Sequence, residues 1–114
     1  MTDPTIALAR FVLDRAGCLA LLAPGGHGRV AATMRAVPVI IPAAYTLLGE
    51  DVILAVGAED GHSRAVAEAV VAFEADQPAE GGATWAVHVT GVAHPIGPGR
   101  FRLSSEIISG WRVD

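Results

Sequence analysis

Lysine is absent from this 114-residue chain, cysteine occurs once, and no apolar run approaches the length of a membrane span. Each absence removes a class of function. The eight basic residues are therefore all arginine, and they gather into neither a run nor a stripe, so the electrostatic footprint of a nucleic-acid interface is missing. A lone Cys18 cannot close an intramolecular disulfide and fits a reducing compartment. Without ~20 consecutive apolar residues there is no helical span, and the opening M-T-D-P-T-I lacks the basic region of a secretory signal. A soluble cytoplasmic protein is the expectation. Metal-ligand spacings such as H-x-H or H-E-x-x-H do not occur, and no metal is expected. His88 and His94 fall on one face of the same expected strand, but at ~3.3 Å per residue they stand ~20 Å apart. The order of residues supports no Ser-His-Asp arrangement, so no catalytic side chain is named. Internal repeats and low-complexity tracts are missing too.

What is present is apolar surface. Hydrophobic residues make up 52% of the chain and charged residues 18%, against about 25% charged in an average globular protein. A single domain over 1–114 with net charge −4 and so few charges is expected to hide part of its surface in a homodimer. The stretch from Val37 to Gly57 concentrates this surplus. It reads as a hairpin whose first strand is apolar on both faces, with Val39, Ile41, Ala43 and Tyr45 on one side and Pro38, Ile40, Pro42 and Ala44 on the other. A strand with one wet face would alternate, so this one needs a core on one side and a second sheet, a subunit or a flat ligand on the other. Pro38 and Pro42 cannot donate to a ladder and place part of the strand at an edge or bulge.

Asp3-Pro4 and Asp14 read as helix N-caps ahead of Ile6 to Leu13 and Arg15 to Ala23. Pro24 to Gly28 reads as a turn. Strands are expected at Arg29 to Met34, from Val37 onward, at Val52 to Gly57, Val70 to Asp76, Trp85 to Ile96 and Ile107 to Val113. A short helix is expected at His62 to Glu68 and a loop at Gln77 to Ala83. Together these elements predict a mainly β fold, a small antiparallel barrel of about six strands with two or three short helices.

The order of motifs is familiar. C-L-A-L-L-A at Cys18 to Ala23, G-R-V-A at Gly28 to Ala31, P-V-I-I-P-A-A-Y at Pro38 to Tyr45 and G-E-D-V at Gly49 to Val52 begin the series. S-R at Ser63-Arg64, V-A-F-E-A-D at Val71 to Asp76, W-A-V-H-V-T-G-V-A at Trp85 to Ala93 and I-S-G-W-R-V at Ile108 to Val113 complete it. In this order they resemble the FMN-binding split-barrel proteins related to pyridoxamine 5′-phosphate oxidase, particularly the short actinobacterial-type members, over nearly the whole chain.

The resemblance implies a Greek-key split barrel that dimerises around two FMN sites, with a small-molecule substrate and a flavin-dependent oxidoreductase activity. It places the flavin ring against Pro42, Ala43, Ala44 and Tyr45, where small side chains permit close approach. It places the phosphate at Ser63 and Arg64, beside a helix start and an arginine fork. Trp85 would approach the ring from the partner subunit, and Trp111 would complete the pocket. Read from the residues alone, Ala43 and Ala44 are equally packing positions, Arg64 a solvated side chain, Trp85 core or interface filler and Trp111 an exposed terminal residue. Three features depart from the family pattern: Val56 where a threonine commonly stands, acidic Glu59 and Asp60 near the phosphate step, and a short connection from His94 to Arg100 in place of a helical insertion. The substrate-holding arginine and histidine pattern of true pyridoxamine phosphate oxidases is not found, so that activity is not expected. The departures motivate one alternative, a cofactor-free dimeric binding module, and a relative that holds a deazaflavin or haem in the same cleft is another.

Overall fold

In the computed structural model, residues 9–57 and 61–113 are described. Asp14 begins the first helix as expected: its carboxylate accepts a hydrogen bond from the Gly17 N–H at 2.8 Å and satisfies one of the free donors of the opening turn. The helix α1 (Arg15–Leu22) turns Cys18 and Leu22 into the core. Gly25, with φ of 71°, ends it by donating to the Leu22 carbonyl. Strand β2 (Gly26–Met34) follows at once, so the expected turn through Gly28 is shorter than its glycines suggest.

Next come β3 (Val37–Leu48), β4 (Asp51–Val56), a short helix α2 (His62–Val66), β5 (Val70–Ala79), β6 (Gly82–Gly97), β7 (Arg100–Leu103) and β8 (Ile107–Val113), while β1 (Arg10–Val12) precedes α1. All pairings are antiparallel. In the sheet order β1-β8-β6-β5-β2-β3-β4-β7, the additional contact of β6 with β7 closes the last six strands into a barrel. The barrel is split because β6 is long enough to serve two neighbours on one edge: Trp85 to Thr90 pair with β8, and Ala93 to Gly97 pair with β7. Inner-face residues including Val30, Ile41, Phe73, Val87, Phe101 and Leu103 fill the interior, and the Tyr45 ring meets Phe73 edge to face at 5.1 Å. Among the described residues no helix is long and apolar enough to cross a membrane.

Two expectations are corrected. The helix over Ile6 to Leu13 is replaced where described by β1, whose residues pair Arg10 with Val113 and Val12 with Trp111, while the Leu13 N–H donates to the Gly110 carbonyl. The exposed edge of β8 recruits a segment whose local propensity is helical. Ile6, Asp3 and Pro4 lie outside the described residues. The loop over Gln77 to Ala83 is instead a hairpin, with β5 running to Ala79 and β6 starting at Gly82 across a register shift at Gln77/Pro78.

Candidate functional site

The doubly apolar strand is central to the site. In β3, Ile41, Ala43 and Tyr45 are buried, whereas Pro38, Ile40, Pro42, Ala44 and Thr46 face outward. Both prolines lie in the half of β3 that pairs with β2 alone, since β4 joins only from Ala43 onward. The outward row through Ile40 continues across the sheet in register to Ala31, Ala72, Thr90 and Ile107. Beside it runs Pro42, Arg29, Glu74, His88 and Ser109. Charges in this second row satisfy one another. Arg29 donates to Glu74 at 2.6 Å and to Asp76 at 3.2 Å, and the His88 ring nitrogen lies 2.7 Å from Glu74. The hydrogen bond to Glu74, followed by that to Asp76, pushes the Arg29 pKa up and holds its charge firmly.

At the far end of β6 from Trp85, Ser63 and Arg64 line a cleft of about 470 Å³ with Gly61, Pro95, Gly99 and Phe101. The segment carrying them is fixed to the barrel by backbone bonds, from the Glu68 N–H to the Ala93 carbonyl and from the Ala93 N–H to the Ala69 carbonyl. Helix α2 has only five residues, too few for an appreciable macrodipole. Positive charge in this cleft is thus supplied by Arg64 rather than by a helix terminus. The short connection that replaces a helical insertion forms one wall through Pro95, Gly97, Pro98 and Gly99. Gly99 has φ of 65°, and a methyl group there would meet the Val56 carbonyl at 2.6 Å. Val56 itself is buried in the core and donates its N–H to Gly99, so its side chain does not line the cleft. Glu59 and Asp60 lie outside the described residues.

Arg100, one residue beyond Gly99, borders a separate shallow hollow of about 150 Å³ on the outer face of β3, β4 and β7, lined also by Ala44, Thr46, Ile53 and Ala55 with Tyr45 beneath. Ala44 and Ala55 are register partners, as are Ala55 and Arg100. Exposed methyl groups at adjacent positions leave a flat floor that a planar ring can approach. Burial pushes the Tyr45 phenol up, so the neutral form is favoured.

The structure thus joins some of the predicted site residues and separates others. Ser63 and Arg64 share the cleft, and Ala44 and Tyr45 line the hollow. Pro42 is exposed on the outer row, whereas the Ala43 side chain is turned into the core. Trp85 is elsewhere, in a third pocket with Leu21, His27, Tyr45, Asp76 and Gln77. Ten residues of β6 separate Trp85 from Pro95, roughly 33 Å at ~3.3 Å per residue. Trp111 is on the outer face of β8, with the Arg10 guanidinium 4.1 Å from its ring centre. Arg100 is not among the site residues expected from the sequence, where it only ends the short connection that begins at His94. A cation placed directly after a Pro-Gly turn is the signal that could have found it.

The donor set fits a phosphate-bearing planar cofactor. Arg15, Arg29 and Arg102 each pair with a carboxylate, but neither Arg64 nor Arg100 has an ion-pair partner among the described residues. One arginine is at the cleft and the other at the edge of the flat hollow.

The family model described as pyridoxamine 5′-phosphate oxidase matches residues 14–111. Among curated proteins none matches the sequence. Among solved structures, the FAD binding protein from Mycobacterium smegmatis is similar with a TM-score of 0.78 at 24% identity, covering 91% of this chain and 98% of that one. An FAD-binding protein from Mesorhizobium loti is similar with a TM-score of 0.72 at 18% identity, covering 95% and 99%. A flavocytochrome from Azotobacter vinelandii has a TM-score of 0.67 at 12% identity, covering 90% of this chain and 69% of its own. At these identities the structural likeness establishes the fold, a split barrel.

Proposed function

The chain belongs to the pyridoxamine 5′-phosphate oxidase family, and from that premise we propose that it is a flavin-binding protein, a homodimeric cytoplasmic oxidoreductase acting on a small molecule. The observation that carries this reading is Arg64: an arginine without a carboxylate partner among the described residues lines a cleft whose wall ends at Gly99, one residue before the Arg100 that borders a hollow floored by Ala44 and Ala55. Arg64 and the Ser63 hydroxyl would hold the flavin phosphate, and the hollow would take the ring. Bound flavin supplies the hydride chemistry, so the protein need only bind, orient and exclude water, and no side-chain acid or base is required. FMN is the form proposed. The names of the Mycobacterium smegmatis and Mesorhizobium loti proteins make FAD the comparison to run beside it.

Fluorescence titration of the purified protein with FMN and FAD tests the proposal. Saturable binding at one flavin per chain is expected. Arg64→Ala removes a charge-assisted hydrogen bond worth about 1.5–3 kcal/mol, so affinity should fall roughly ten- to hundredfold. A protein that takes up neither flavin overturns the reading.

A further inference from the structure

Arg100 is placed unlike the other arginines of the chain. It opens β7, opposite Ala55 on one neighbour and Gly97 on the other, and of the residues lining the hollow with Ala44 and Ala55 it alone carries charge. No carboxylate among the described residues neutralises it. Its strand does not leave arginines free as a rule: Arg102, also exposed and two residues on, lies 3.7 Å from Asp51. The rest of the hollow is alanine, isoleucine, leucine, threonine and the edge of Tyr45. Such a surface suits the face or edge of a planar ring better than a second phosphate group, which would want several donors.

We infer that Arg100 reads the edge of the flavin ring and raises its reduction potential. This rests on the flavin-binding reading above. When a hydride donor delivers two electrons and a proton to N5 of the ring, the donor leaves in its oxidised form and the ring gains one negative charge, spread over N1 and the C2 carbonyl. A planar guanidinium supplies fixed N–H donors and a charge that is not lost at any ordinary pH. It interacts more strongly with the reduced, anionic ring than with the neutral oxidised one, and that difference is a shift in potential. Arg64, on the phosphate, meets the same charge in both redox states and contributes affinity without this preference.

The test is Arg100→Gln, with Arg102→Gln as a control for surface charge, each loaded with the tighter-binding of FMN and FAD. Affinity for the oxidised flavin is read by fluorescence quenching, and the midpoint potential by dithionite titration against an indicator dye. Arg100→Gln should bind oxidised flavin within about threefold of the unmodified protein. Its preference for reduced over oxidised flavin should fall roughly tenfold, which is about 30 mV for a two-electron couple. Arg102→Gln should change neither. An unchanged potential in flavin-loaded Arg100→Gln overturns the assignment and leaves flavin binding standing, as does an equal drop in Arg102→Gln. An unmodified protein that binds no flavin overturns both.

Discussion

Cys18 carries the clearest residue-level prediction. Its thiol is 1% exposed and packs so close to β8 that a methyl group on Gly110 would come within 3.0 Å of the sulfur. Burial, and after it the negative charge of Asp14, pushes the thiol pKa up, which disfavours the nucleophilic thiolate and marks the residue as structural. The folded pKa therefore lies above the unfolded one, and between the two the folded chain retains a proton that the unfolded chain has lost. Stability from this group is complete below the ordinary thiol range and is lost as pH rises through the folded value. Urea unfolding followed from neutral to alkaline pH should show a decline that is smaller in Cys18→Ala, where the buried Tyr45 phenol still contributes to it, and native protein should react with a thiol reagent far more slowly than protein in denaturant. Rapid labelling of the native chain would contradict the burial argument.

Among the elements, the seam between β2 and β5 is the narrowest closure of the barrel, held by register pairs from Arg29 to Ala31 only. Gly28 borders it. A methyl group there would meet the Glu74 carbonyl at 2.3 Å and the Phe73 ring at 2.7 Å, so Gly28→Ala must open the seam or displace a core aromatic. A loss of about 1–3 kcal/mol is expected from such overpacking, read as a lower urea midpoint. Gly97→Ala, with nothing within 4 Å, should stay within about 0.5 kcal/mol. Equal losses at the two sites would contradict the close approach at the seam, since the unfolded-chain effect of Gly→Ala is stabilising. The same elements show what a sequence can disclose. Asp14 announced α1 because a cap is a local bond, and Val71, Phe73 and Ala75 were legible as one face of β5 because alternation is local as well. Strand β1 was not, since only β8, a hundred residues away in sequence, makes Arg10 to Val12 extended. The β5–β6 hairpin was missed because Pro, Glu and Gly compose loops and exposed two-stranded ribbons alike.

At the scale of the whole molecule, the candidate site was half legible. Ser63 and Arg64 are adjacent in sequence and so stayed together, but Trp85 could be assigned to the same ring only from a resemblance, and within one chain it stands at the opposite end of β6. A homodimer would resolve this separation by letting each ring meet Trp85 of the partner subunit. The outer face of the sheet is suited to that contact. Ile40, Val70 and Ile107 are 65%, 71% and 66% exposed, the row joining Ile40 to Ile107 is otherwise small, and the neighbouring polar side chains of Arg29, Glu74, Asp76 and His88 are already partnered within the chain. An identical face can cover such a surface without leaving charges unpaired, as a two-fold interface requires. Ile40→Arg adds an uncompensated charge in the middle of the apolar row. It should convert the native mass from dimer to monomer while the folded barrel persists, because Ile40 contributes nothing to the core. Flavin affinity should fall with dissociation, and the quenching of tryptophan fluorescence by bound flavin should fall with it. A variant that remains dimeric would place the interface on another face, and a monomer that binds flavin as tightly as the unmodified protein would show that each chain holds its cofactor alone.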